Sequence, residues 1–159
     1  MKSSKQLLER IRARINEISE ILKENGYEPE KISEEEFYQY LTGETPYKEK
    51  YTLEDVLKDN FLMLHEVVEI SELKRMGIPV NKRTVIEFHS KAYEAHLTAT
   101  DVELSYAFKV KNFSWIRTRL EHLRTWEEDE LLPPDLLPKV RQLLRKYASF
   151  SNFTSQVEP

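Results

Sequence analysis

The chain has 159 residues, a formal net charge of −4 and no cysteine. Its length suits a single domain, since domains commonly have about 100–200 residues. The lack of cysteine excludes disulfides, zinc fingers and iron–sulfur clusters. The three glycines, Gly26, Gly43 and Gly77, lie far apart. This excludes a P-loop and a dinucleotide-binding fingerprint, because both need closely spaced glycines.

No stretch of the sequence reaches the ~18–20 apolar residues of a membrane span. The first residues, 1–17, lack the apolar core of a signal peptide. We therefore expect a soluble cytoplasmic protein. Charged residues make up 33% of the chain, and a composition rich in Glu, Lys and Arg without cysteine favours a thermophilic source.

The first predicted helix runs from Ser4 to Asn25. Its apolar residues recur at spacings of three and four and form one stripe, Leu8, Ile11, Ile15, Ile18 and Leu22. Gly26 follows, at the position where helices commonly end in glycine. The stripe predicts packing on the helix's own domain or, alternatively, a coiled-coil-like contact between subunits.

A short second helix is predicted to begin at Ser33, because Ser33 and Glu36 have the spacing of a capping box. Apolar side chains, Tyr40 among them, would dock this helix. Gly43 would end it. The segment 44–51 is predicted to be a loop.

The third predicted helix begins at Thr52, where Asp55 completes a second capping pattern, and runs to Met76 before Gly77. Apolar residues occupy two of its sides, which is typical of a central helix. The fourth predicted helix, 83–109, is the longest and has alanines in the middle of its apolar seam. Small residues permit a close approach, so we expect the third and fourth helices to pack together.

The last two helices are predicted over 115–126, with Ser114 as the cap, and from Asp135 to the start of the tail. The tail, 149–159, is predicted to be loosely ordered. The sequence contains neither a strand pattern nor an internal repeat. It therefore predicts an all-α fold, a single-domain helical bundle over 1–148 with about six helices and a four-helix-like core.

One set of side chains is unusual for apolar helix faces. His89, His96 and Glu103 are seven residues apart on the apolar face of the fourth helix. His65 and Glu69 lie on the third helix. Buried His and Glu need a partner or a metal, and imidazole with carboxylate suits zinc, iron or manganese. The five residues therefore permit a divalent metal site within the bundle, and with it a metal-dependent hydrolase of the phosphohydrolase type.

The favoured interpretation of the same side chains is a buried polar network without a metal. In that network His96 bonds Glu103 or Tyr93. His65 bonds Glu69 or Glu72 on its own helix. This interpretation takes account of the fact that the helices lack the Glu-x-x-His spacing of bundle metal sites and a complete His-Glu-x-x-His signature.

Basic residues of the fifth predicted helix indicate a further alternative. Arg117 and His122 have an Arg-x4-His spacing that resembles HEPN-type ribonucleases, in which a basic pair assists RNA cleavage. Arg124 adds charge nearby, and Trp115 and Trp126 are able to stack on bases. The resemblance implies a nucleic-acid-binding or RNase-like domain.

The sequence contains no complete catalytic signature, so it assigns no catalytic residue and indicates no cofactor beyond the divalent metal. The apolar helix stripes favour an interaction or oligomerising domain, with a homo-oligomer or another protein as its partner. This is the leading expectation. The metal-dependent hydrolase and the nucleic-acid-binding domain are the alternatives.

Overall fold

The computed structural model describes residues 2–45 and 51–157, with side chains over 4–45 and 51–150. Within these ranges the chain forms helices and the loops between them, and no strand occurs. The predicted all-α helical bundle is confirmed. Most of the predicted loop at 44–51 lies outside the described residues.

The chain divides into two compact units, residues 1–99 and 100–159. The single domain predicted over 1–148 stays a prediction. The helices of the first unit are α1 (Lys2–Glu24), α2 (Glu34–Leu41), α3 (Leu53–Lys58), α4 (Asn60–Arg75), α5 (Thr84–Glu87) and the beginning of α6 (His89–Lys109). The second unit holds the end of α6, then α7 (Phe113–Thr125) and α8 (Leu137–Val157), with short 3₁₀ turns at Trp126–Glu128 and Pro134–Leu136.

The apolar stripe of α1 is buried inside the first unit. Ile11, Ile18 and Leu22 are fully buried, and α1 packs against α2 and α4. Gly26 adopts a φ of +83° just after the helix. The Tyr27 N–H then donates to the Leu22 carbonyl at 2.9 Å, which is the closing bond of a Schellman motif. The stripe thus packs within its own unit.

Both predicted capping boxes are present. The Ser33 hydroxyl accepts from the Glu36 N–H at 3.1 Å, and the Glu36 carboxylate accepts from the Ser33 N–H at 2.9 Å. The second box begins α3 in the same way. α2 ends at Leu41 with Thr42 as its C-cap, so Gly43 directly follows the helix end. A side chain at Gly43 would meet the Lys82 carbonyl oxygen at 2.7 Å. Glycine at this position allows two backbone segments to approach closely.

Two helices predicted as continuous are each broken by one residue. Asp59 is extended (φ −122°, ψ 126°), and its side chain accepts from the Leu62 N–H at 2.9 Å. Asp is a strong N-cap residue, and this local bond competes with continuation of a helix. The third predicted helix is therefore split into α3 and α4. Phe88 (φ −128°, ψ 43°) divides the fourth predicted helix into α5 and α6.

The ends of the last two helices also differ from the prediction. Asn112, rather than Ser114, caps α7, since its side chain accepts from the Trp115 N–H at 3.2 Å. Asp135 lies in a 3₁₀ turn before α8, and α8 continues to Val157. The loose order predicted for the tail stays a prediction. None of the helices in the described part of the chain is long and apolar enough to cross a membrane.

Candidate metal centre

Three side chains with metal-binding atoms converge inside the first unit. His65 and Glu69 lie one turn apart on α4, and a spacing of four residues places them on one face of the helix. His96 comes from the part of α6 that belongs to the same unit. Over the residues that the structure describes, these three form the group whose ligand atoms are close enough to hold one ion, within 4.8 Å of one another.

The three ligand atoms form a nearly equilateral triangle. His96 Nδ1 lies 2.7 Å from Glu69 Oε1 and 3.0 Å from His65 Nε2. His65 Nε2 lies 3.1 Å from Glu69 Oε1. The two imidazole rings meet edge to face, with centroids 4.4 Å apart and an angle of 63° between their planes. Each ring therefore directs one nitrogen toward a common point beside Oε1.

The two residues of the cluster that lie on α4 are buried, and the one that lies on α6 is partly exposed to solvent. His65 and Glu69 are 1% and 7% exposed, whereas 27% of the His96 side chain is accessible. Burial raises the pKa of Glu69, but the two imidazoles offset this effect and hold the pKa of the carboxyl well below its usual range. Glu69 is therefore ionised at neutral pH.

The triangle has three contacts, but protons on its two imidazole nitrogens can form hydrogen bonds in at most two of them. An ionised carboxylate carries no proton, so each hydrogen bond needs a proton on His65 Nε2 or His96 Nδ1. If both nitrogens carry a proton, the contact between them joins two donors whose nitrogens are 3.0 Å apart. If only one does, at least one contact joins two acceptors. A cation at the common point attracts all three atoms at once.

A tyrosine hydroxyl occupies the other side of the carboxylate. Tyr40 on α2 is buried, and its hydroxyl donates to Glu69 Oε2, the oxygen that does not make the contacts with the imidazoles. The sequence predicts Tyr40 only as a docking residue and contains no pattern that indicates this bond. A buried tyrosine needs a hydrogen-bond partner, but Tyr40 and Glu69 are 29 residues apart and no local spacing connects them.

The structure does not bring His89 and Glu103 into this cluster. Each is seven residues from His96 along α6, and seven residues span about 10 Å of helix. Neither residue contributes a ligand atom to the group that His65, Glu69 and His96 form in the described part of the chain. Of the five predicted ligands, the structure therefore brings together His65, Glu69 and His96.

Glu103 has other partners in the second unit. Its fully buried carboxylate accepts from Trp115 Nε1 at 2.6 Å and lies 2.8 Å from Arg119 Nε. The Arg119 guanidinium carbon lies 5.9 Å from the centre of the Trp115 ring. A buried carboxylate paired in this way joins α6 to α7 and stabilises their packing, since removal of either charge would leave the other uncompensated.

One contact of the predicted polar network is present, the contact between His65 and Glu69. Glu72 instead accepts from the Tyr27 hydroxyl at 2.6 Å and from Arg75 Nη1 at 2.9 Å. These bonds connect the end of α4 to the segment after α1. The carboxylate used by His65 is therefore Glu69, which His96 shares.

The residues of the predicted nucleic-acid surface lie together on α7. Arg117 and His122 are half-buried and Arg124 is exposed. Arg119 Nη1 lies 3.5 Å from His122 Nδ1, and the Trp115 indole is bonded within the unit. The nucleic-acid-binding function stays a prediction.

Two histidines and one carboxylate are the donor set of mononuclear zinc and iron sites that keep open coordination positions. No family model, curated protein or solved structure matches this chain. Its function is therefore inferred from the geometry of the three-ligand cluster.

Proposed function

We propose that the chain binds one divalent transition metal ion through His65 Nε2, His96 Nδ1 and Glu69 Oε1, and that the bound ion makes it a hydrolase. The observation that carries this proposal is the triangle of ligand atoms, whose sides are 2.7, 3.0 and 3.1 Å. Protons alone satisfy these contacts incompletely. The metals that suit two imidazoles and a carboxylate are zinc, iron and manganese.

The size of the triangle supports metal binding. Bonds of about 2.0–2.1 Å put tetrahedral ligands about 3.3 Å apart and neighbouring octahedral ligands about 2.9 Å apart. The separations of 2.7–3.1 Å lie near these values. The centre of the triangle is only about 1.7 Å from each atom, so an ion at bonding distance lies to one side of the plane. Its remaining coordination positions point away from the three ligands.

The number of protein ligands supports a catalytic site. Structural zinc sites take four protein ligands, whereas catalytic ones take three and keep a position for water. Zinc lowers the pKa of a bound water to about 7, so a hydroxide nucleophile forms at neutral pH. The accessible surface of His96 is the side from which water and substrate would reach the ion. A phosphoester, the substrate class predicted from the sequence, suits such a site because its oxygens bind divalent ions.

The test begins with metal content. Untagged protein is stripped with a chelator, reloaded with Zn²⁺, Mn²⁺ or anaerobic Fe²⁺, and measured by elemental analysis after desalting. We expect one ion per chain with at least one of these metals. The loaded protein is then assayed with p-nitrophenyl phosphate and p-nitrophenyl acetate, and we expect hydrolysis that the chelator abolishes.

His96→Ala and His89→Ala are the matched pair of variants, because both histidines lie on α6 and only His96 contacts Glu69. His96→Ala should lose the metal and the activity, and His89→Ala should keep both. Failure to retain any of the three metals would overturn the metal site. Stoichiometric metal without hydrolysis of either ester would overturn the hydrolase assignment and leave the site intact.

The interaction role predicted from the sequence is a separate proposal. One of its grounds, the stripe of α1, is buried within the first unit. The homo-oligomer stays a prediction, and light scattering at high protein concentration tests it. A monomer at all concentrations would exclude it.

A further inference from the structure

The two carboxylate oxygens of Glu69 have different partners, and Tyr40 binds one of them. The Tyr40 hydroxyl donates to Oε2, while Oε1 lies 2.7 Å from His96 Nδ1 and 3.1 Å from His65 Nε2. An oxygen that accepts a hydrogen bond from a buried hydroxyl is held away from any ion on the opposite side. The carboxylate therefore presents one oxygen, not two, to the common point.

The helix that carries Tyr40 is well anchored within the first unit. Its N-terminus is fixed by the capping box of Ser33 and Glu36. Lys74 Nζ on α4 lies 2.8 Å from Glu36 Oε1, and Phe37 is fully buried. The phenol is thus held in place by contacts that do not involve the three ligand atoms. Such preorganisation is what an outer residue needs in order to orient a ligand.

We propose that Tyr40 is a positioning residue that keeps Glu69 a one-oxygen ligand of the metal and so preserves an open coordination position for water. This inference rests on the proposed function. A carboxylate that binds through both oxygens would occupy one position more on the ion. Hydrogen bonds to carboxylate ligands act in this way in metal sites, and their loss typically weakens metal binding about 10- to 100-fold.

Co²⁺ is the probe that distinguishes these arrangements, because its visible absorption is strong with four ligands and weak with six. The test compares wild type with Tyr40→Phe, which removes only the hydroxyl. Tyr38→Phe is the matched control, since it makes the same change on the same helix at a half-buried side chain. Each protein is stripped of metal, checked for helix content by circular dichroism, and titrated with Co²⁺ at neutral pH.

We expect Tyr40→Phe to bind Co²⁺ about 10- to 100-fold more weakly than wild type. Its visible absorption should also fall relative to that of bound wild type, as Glu69 Oε2 joins the ion. Tyr38→Phe should match wild type in both. A purely structural role for Tyr40 would lower the melting temperature of the metal-free protein but would not change the spectrum of the bound ion.

The outcomes separate this inference from the proposed function. If wild type binds no Co²⁺, Zn²⁺, Mn²⁺ or Fe²⁺, the metal site itself is refuted, and the role of Tyr40 with it. If wild type binds Co²⁺ and Tyr40→Phe gives the same affinity and the same spectrum, the positioning role is refuted alone.

Discussion

His96 Nδ1 lies 2.7 Å from Glu69 Oε1, although the two residues are 27 positions apart in the sequence. The contact joins α6 to α4 within the first unit, and His65 enters the same cluster from one turn away on α4. An ion at this point would cross-link two helices of one unit. Metal binding is therefore expected to be visible in the stability of the protein and not only in its activity.

Metal loading should raise the melting temperature of the stripped protein. An ion that binds only the folded state adds about 2.7 kcal/mol at a free concentration 100 times its Kd. For a chain of this length that corresponds to an upward shift of about 5–10 °C. Differential scanning calorimetry with Zn²⁺, Mn²⁺ or Fe²⁺ measures the shift.

The control for this experiment is Mg²⁺, which prefers oxygen ligands and should leave the melting temperature of the stripped protein nearly unchanged. Addition of a chelator to the loaded protein should reverse the shift. An equal response to Mg²⁺ and Zn²⁺ would indicate general charge effects instead of binding at the histidines.

The stability effect should depend on Glu69 as well as on the histidines. Glu69→Gln keeps the size of the side chain but replaces the ionised oxygen with a neutral amide. We expect the variant to show no metal-dependent rise in melting temperature, because a buried divalent ion would lack its only anionic ligand from this cluster. Glu66→Gln, also on α4, is the control and should keep the rise. A full metal response in Glu69→Gln would contradict the ligand assignment.

Part of this site is predictable from the sequence, and part of it is not. The pair His65 and Glu69 is predictable, because a spacing of four residues joins two side chains on one helix face. The choice of His96 is not. His89, His96 and Glu103 follow the same period along α6, and the period alone does not say which of them lies opposite Glu69. That choice depends on the position and rotation of α6 relative to α4.

Some helix boundaries are likewise predictable from the sequence, and others are not. The capping box at Ser33 is local, so the sequence predicts it correctly. Asp59 and Phe88 lie inside segments where the helical spacing of apolar residues continues across them. Asp59 breaks the run because its side chain caps α4. Periodicity reports which face of a segment is apolar, and it does not report where the backbone leaves the helix.

In the second unit, Glu103→Gln should destabilise the protein strongly. Glu103 is fully buried, and its carboxylate lies 2.8 Å from Arg119 Nε. The substitution leaves the guanidinium buried without its counter-charge, and breaking a buried pair costs about 3–5 kcal/mol. Urea unfolding at neutral pH measures the loss. Glu121→Gln on the exposed side of α7 should change stability by less than about 0.5 kcal/mol. Similar small losses in both variants would show that the pair is dispensable.

A pH-dependent contribution to stability is expected from Glu36. Burial raises the pKa of this carboxyl, but the Lys74 ammonium and the Ser33 N–H outweigh burial and place the pKa below its ordinary value of 4.5. The unfolded chain therefore takes up the proton first as the pH falls. The stabilisation by Glu36 is fully present above pH 4.5 and is lost as the pH falls through the lower pKa of the folded state.

Glu36→Gln isolates this charge, because the amide oxygen is still able to accept from the Ser33 N–H. At neutral pH the variant should be less stable than wild type by about 0.5–1 kcal/mol, the range of a partly exposed ion pair. The difference should shrink as the pH is lowered to about 3, where wild type also loses its charge. Urea unfolding at the two pH values measures it. Glu35→Gln, exposed on the same helix, should differ little from wild type at both. A deficit of Glu36→Gln that stays constant or grows on acidification would exclude the ion pair with Lys74 as its cause.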